Sequence, residues 1–126
     1  MSGPESHIPA PSTVAFDVGE VLIDETRLWT LWAELIGVSP TTLAAVLGAA
    51  VVQGEHADAV FAHLVPNVEW RGLEGEHERL YGGFEDRDLY PDVRPCFDEL
   101  TAAGFRIVVA GNQPARRRAL RKRWRA

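Results

Sequence analysis

Two positions in this chain combine a reactive or polar side chain with a setting that could use it. Asp17 ends the apolar run Thr13-Val14-Ala15-Phe16 and is followed by Val18 and the turn signal Gly19-Glu20. Asn112 follows a second apolar run, Phe105-Arg106-Ile107-Val108-Val109-Ala110, after Gly111. A carboxylate fixed at the tip of a rigid strand can attack an electrophile or ligate a cation. An Asp there can also simply close a turn through its own backbone, so both readings stand at this point.

The intervening sequence must position them. Each apolar run is short and rich in β-branched residues, which predicts buried strands at 14–18 and 105–110. Between them the pattern turns helical. Leu28, Leu31, Trp32, Leu35 and Ile36 share one helix face, and Gly37 ends that helix. Ser39 and Pro40 open a second, with Leu43, Val46, Leu47, Ala50 and Val51 as its apolar side. A third is expected at about 57–65, with Val60, Phe61 and Leu64 inward, stopped by Pro66. Residues 67–83 are ambiguous, with a short helix at Glu74 to Tyr81. Glu85-Asp86-Arg87-Asp88 reads as a solvated loop. Asp92 is the expected N-cap of a helix through Val93, Cys96, Phe97, Leu100 and Ala103, closed by Gly104. Trp29 and Trp32 are expected to pack inside the helical part, and Cys96 in a core. Strands separated by helices predict a parallel α/β sheet, and ligands of such sheets bind beyond the carboxyl ends of the strands.

Composition sets the outer bounds. The chain has 126 residues, 46% hydrophobic and 25% charged, which suits one globular domain. Its single cysteine excludes an internal disulfide. No apolar run reaches the roughly 18 residues of a membrane span, and the start Met1-Ser2-Gly3-Pro4 lacks the pattern of a signal peptide. We therefore expect a cytoplasmic location and no membrane partner. The net charge of −5 conceals a basic end, Arg116 to Arg125, which also carries Lys122 and Trp124. Such a run can bind phosphate backbones, but a helix end complementing its dipole is the favoured reading, and nucleic acid is not an expected partner. His56, His63 and His77 lack a third ligand at zinc spacing.

Val14-Ala15-Phe16-Asp17-Val18-Gly19-Glu20-Val21-Leu22-Ile23-Asp24 resembles the first motif of the haloacid dehalogenase-like (HAD) hydrolases. Val108-Val109-Ala110-Gly111-Asn112 resembles their second motif. Leu89-Tyr90-Pro91 resembles the return from the family's helical cap into its core. The likeness spans about 13–115. It implies a Rossmann-like (HAD-like) α/β core with parallel strands, built from 13–25 and 89–126. Residues 26–88 would be an inserted helical cap and 1–12 a flexible lead-in.

By the same resemblance, Asp17 is the nucleophile that becomes an aspartyl phosphate. Mg²⁺ is held by Asp17 and the backbone carbonyl of Gly19, and Gly111 and Asn112 face the phosphate. The expected activity is a phosphatase acting on a small phosphorylated metabolite. Dehalogenase chemistry with the same aspartate is the enzymatic alternative, and a degenerate, non-catalytic binding module the other. Three departures matter. The family places an acid at residue 19, where this chain has Gly19, and Glu20 is the neighbouring substitute. A phosphate-binding hydroxyl is expected where Gly111 stands. The family's third-motif lysine and fourth-motif acidic pair lie on later units, so we expect a truncated product, a homo-oligomer or a protein completed by another chain.

Overall fold

The computed structural model describes residues 12–111. Asn112, the basic run with Lys122, and residues 1–11 lie outside the described residues. The fold is mixed α/β. Strand β1 (Thr13–Phe16) pairs in parallel with β2 (Arg106–Val109), in the register Thr13↔Arg106 to Phe16↔Val109. The ladder is extended at both ends, where Arg106 N–H donates to Ser12 O and Ala110 N–H to Phe16 O, each at 2.8 Å. Each strand is shorter than its apolar run because Val18 and Phe105 already belong to the adjoining turns.

Helices fill the sequence between the strands: α1 (Thr26–Ile36), α2 (Pro40–Val52), α3 (Ala59–Leu64), a 3₁₀ turn at Trp70–Leu73, α4 (Glu74–Tyr81) and, after a 3₁₀ turn at Asp86–Asp88, α5 (Val93–Ala102). Gly37 takes the left-handed conformation, φ 75°, that ends α1, as its position predicts. Ser39 and Asp92 hold the N-cap positions of α2 and α5, yet neither makes a side-chain cap bond. Helix α2 is apolar on all sides. Leu43 and Ala50 are buried, but Val51 is 56% exposed, contrary to the expected face. It lies about 100° beyond Ala50 around the axis, on the last turn, where no neighbour reaches.

Two apolar cores result. The first lies among α1–α4 and centres on Leu28, Trp32, Ala33, Leu43, Val60, Phe61 and Tyr81. Its aromatic rings are layered, with Trp32 stacked on His77 at 4.4 Å and Phe61 on Trp70 at 4.3 Å. Both Trp32 and the half-buried Trp29 pack here. His77 is buried, with Nε2 donating to Leu28 O at 3.0 Å. The second core joins Val18, Leu22, Ile23 and Val93 to Phe16, Phe97 and Val109. Phe16 and Phe97 rings lie 5.2 Å apart, so α5 covers one face of the strand pair. Ala15 and Val108 are exposed on the other. Cys96 is half-buried on α5 rather than enclosed. Phe84 packs against both cores.

The way into the helical part and the way out run side by side. Asp24 N–H donates to Asp88 O at 2.7 Å and Tyr90 N–H to Leu22 O at 3.1 Å, around an antiparallel bridge between Ile23 and Leu89. This neck is clamped by Arg27. Its guanidinium reaches both Asp88 oxygens, at 3.0 and 2.6 Å, and the carbonyls of Tyr81 and Gly83. Asp88 is therefore buried, at 4% exposure, whereas the charged stretch 85–88 reads as solvated from sequence. A carboxylate can be buried this way because a bidentate arginine satisfies it.

Candidate active site

Asp17 leaves β1 exposed to solvent, with its Oδ1 accepting the neighbouring Val18 N–H at 2.7 Å. Parallel pairing brings the end of β2 beside it. A Cβ at Gly111 would stand 3.3 Å from Asp17 Oδ1 and 3.1 Å from Val18 Cγ2. A side chain at residue 111 would press on Val18 and Asp17, which would have to give by a few tenths of an ångström. The two runs singled out in the sequence thus meet at one point. Gly111→Ser should force Val18 or Asp17 aside and lower stability by about 1–2 kcal/mol, read as a drop in the urea midpoint.

The chain then turns sharply. Val18 O accepts N–H groups from Val21, Leu22 and Ile23, at 3.3, 2.9 and 3.0 Å. Glu20 occupies the left-handed region at φ 58°, unusual for a residue other than glycine. Its carboxylate is tied at both oxygens. Oε1 accepts Glu25 N–H and Oε2 accepts the Tyr90 hydroxyl, each at 2.7 Å. That hydrogen bond, with burial and the charges of Glu20, Asp24 and Glu25, pushes the Tyr90 phenol up to about 12. Tyr90 therefore remains a donor at neutral pH. Asp24 Oδ1 accepts Thr26 N–H at 2.9 Å and so starts α1. The turn delivers the carboxylate of Glu25 to Gly19, whose absent Cβ would lie 2.6 Å from Glu25 Oε1.

The turn that follows the first strand is acidic, with Asp17, Glu20, Asp24 and Glu25 within nine residues. The oxygen donors at Asp17 and Gly19 are the kind Mg²⁺ takes, and that ion usually needs only one or two carboxylates beside water and substrate phosphate. In chemical type, though not by any shown convergence, these oxygens suit a hard cation. Among the described residues no group of three or more His, Cys, Asp or Glu side chains is placed to hold a metal by itself. His63 on α3 pairs with Glu55 at 3.0 Å and His56 with Asp58 at 3.5 Å in the loop before it.

An open cleft of about 490 Å³ lies elsewhere, along α1 between Thr30, Glu34, Leu80 and Arg87. Neither Asp17 nor Gly111 lines it. The sequence singles out Asp17, Gly19 and Gly111 but not the contact of Glu25 with Gly19, because no periodicity encodes a turn that folds residue 25 back onto residue 19. Its one signal is a glycine at 19 that the backbone does not require. Among the described residues no single helix is long and apolar enough to cross a membrane. No protein-family model, curated protein or solved structure matches the chain.

Proposed function

We propose that this chain has a HAD-like core with a helical cap, and that it hydrolyses a small phosphorylated metabolite through an aspartyl phosphate on Asp17. The observation that carries this reading is the meeting of Asp17 and Gly111 at the carboxyl ends of two parallel strands. A ligand of such a sheet binds there. In this reading the helices α1–α4, inserted between the two strands, are the cap.

Asp17 is exposed, strand-borne and held in orientation by Val18 N–H, as a nucleophile must be. One oxygen attacks phosphorus while the other keeps that hydrogen bond. Mg²⁺, when bound by the Asp17 carboxylate and the Gly19 carbonyl, supplies the charge neutralisation that this acidic surface needs against a phosphate. The test is a screen of phosphoesters with and without Mg²⁺, beside a haloacid substrate. Mg²⁺-dependent phosphate release supports the reading. Halide release that needs no metal would instead assign the same aspartate to dehalogenation.

A further inference from the structure

Helix α2 has no charged residue from Pro40 to Val52. A helix apolar all round belongs in an interior, yet α2 is covered on one side only. Leu43 and Ala50 are buried. On the opposite side Thr41, Ala45, Gly48 and Val52 are all exposed, Val52 at 88%. At about 100° per residue these four fall within roughly 60° of one another around the axis, and Ala44 and Ala49 flank them, also exposed. Gly48 sits inside the helix, where glycine is a poor choice beside alanine. Its φ is not in the left-handed region, and a Cβ there would meet nothing within 4 Å. Neither the backbone nor the packing of its own chain requires a glycine at 48. Close approach of a body from outside does.

We propose that this face is where two copies of the chain meet, through antiparallel α2 helices related by a two-fold axis. The exposed stripe reads 41, 45, 48, 52, in steps of four, three and four. That spacing is the same from either end, so a copy turned end for end meets the stripe in register. Val52 then lies over the partner's Thr41, and Ala45 over the partner's Gly48, as a self-matching patch requires. Small residues at the crossing let the two axes approach toward the lower end of the usual range of about 8–10 Å. Charge favours the same occupant. Each chain carries a net charge of −5, so two copies repel where charged surfaces face each other, and α2 offers an uncharged one. Its 13 residues span about 20 Å. That buries less than the roughly 800 Å² per partner of a standard interface, so the pairing is weak and reversible. It does not depend on the chemistry at Asp17.

Sedimentation velocity of the full chain, from micromolar to millimolar concentration, tests the contact. A reversible monomer–dimer equilibrium is expected. Gly48→Leu fills the crossing and should raise the dimer dissociation constant at least about tenfold. The same change should raise the urea midpoint of the monomer, because it removes a glycine from a helix and meets nothing in its own chain. Stability and association thus move in opposite directions, which a glycine serving only its own fold would not produce. Val52→Glu should weaken the dimer as well and leave the urea midpoint unchanged, since Val52 is exposed. Added salt should tighten the dimer by screening the repulsion between copies. A chain that stays monomeric throughout would overturn the proposal, as would a dimer indifferent to both variants. Association that weakens with salt would assign the contact to oppositely charged surfaces instead. Vesicles of phosphatidylcholine provide the remaining arm. Binding by a monomeric parent chain that Val52→Glu abolishes would give the face to lipid and remove the second copy from it.

Discussion

Asp17→Asn is expected to reduce phosphoester turnover by about 10⁴–10⁶-fold, the scale on which removing a covalent nucleophile acts. The fold should not notice. Asp17 is exposed, its only described hydrogen bond is to the adjacent Val18 N–H, and an amide oxygen can accept that bond equally well. The urea midpoint should therefore stay within the range of a neutral surface change, about 0.5 kcal/mol. Separate measurement of kcat and thermal midpoint checks both halves. Turnover equal to the parent's would remove Asp17 from the chemistry.

The largest expected loss of stability comes from Arg27→Ala. Asp88 would keep its burial and lose its partner, and the carbonyls of Tyr81 and Gly83 would lose their donor. Removing one member of a buried, hydrogen-bonded pair costs about 3–5 kcal/mol. Arg27 is partly solvated, at 23% side-chain exposure, so the lower end applies. It also sits 4.1 Å above the Tyr81 ring, a contact that Ala forfeits. Lysine should rescue little, because it cannot span both Asp88 oxygens. Chemical denaturation of the three proteins would rank them.

The same pair gives a pH signature. Burial works against the charged form of Asp88. The Arg27 hydrogen bonds, the Glu85 N–H and the charges of Arg27 and Arg87 outweigh it, holding the carboxyl below its ordinary value of 3.8. A group depressed in the folded state contributes stability above its unfolded pKa and loses it as pH falls through the folded one. Stability should therefore fall as the pH drops below 3.8. Arg27→Ala should flatten that part of the curve.

What the sequence displayed, and what it hid, follows from the range of the interactions. The strand at 13–16 and helix α1 are local patterns, period and composition over a few residues, and both are readable. So is the meeting of Asp17 with Gly111, because parallel pairing of two apolar runs requires it. Burial of Asp88 depends on Arg27, far off in sequence, and no local pattern reports such a partner. His77 looks like any histidine in a charged helix until Trp32 and Tyr81 close on its two faces. Glu25 was hidden for a different reason. Its placement is the sum of a tight turn and a left-handed residue 20, and Gly19-Glu20 announces the turn but not which residue takes that conformation.

The neck has a consequence for how this kind of chain can change over generations. Residues 22–24 and 88–90 leave and re-enter one ladder as partners, so the peptide between them begins and ends at nearly the same place. To the strand pair, everything from α1 to the last 3₁₀ turn is one closed loop. Doubling the length of such a loop costs only about 0.6 kcal/mol in closure entropy. Helices there can be lengthened, lost or exchanged for others while β1 and β2 keep their register. Inheritance can thus remake the helical part without moving Asp17.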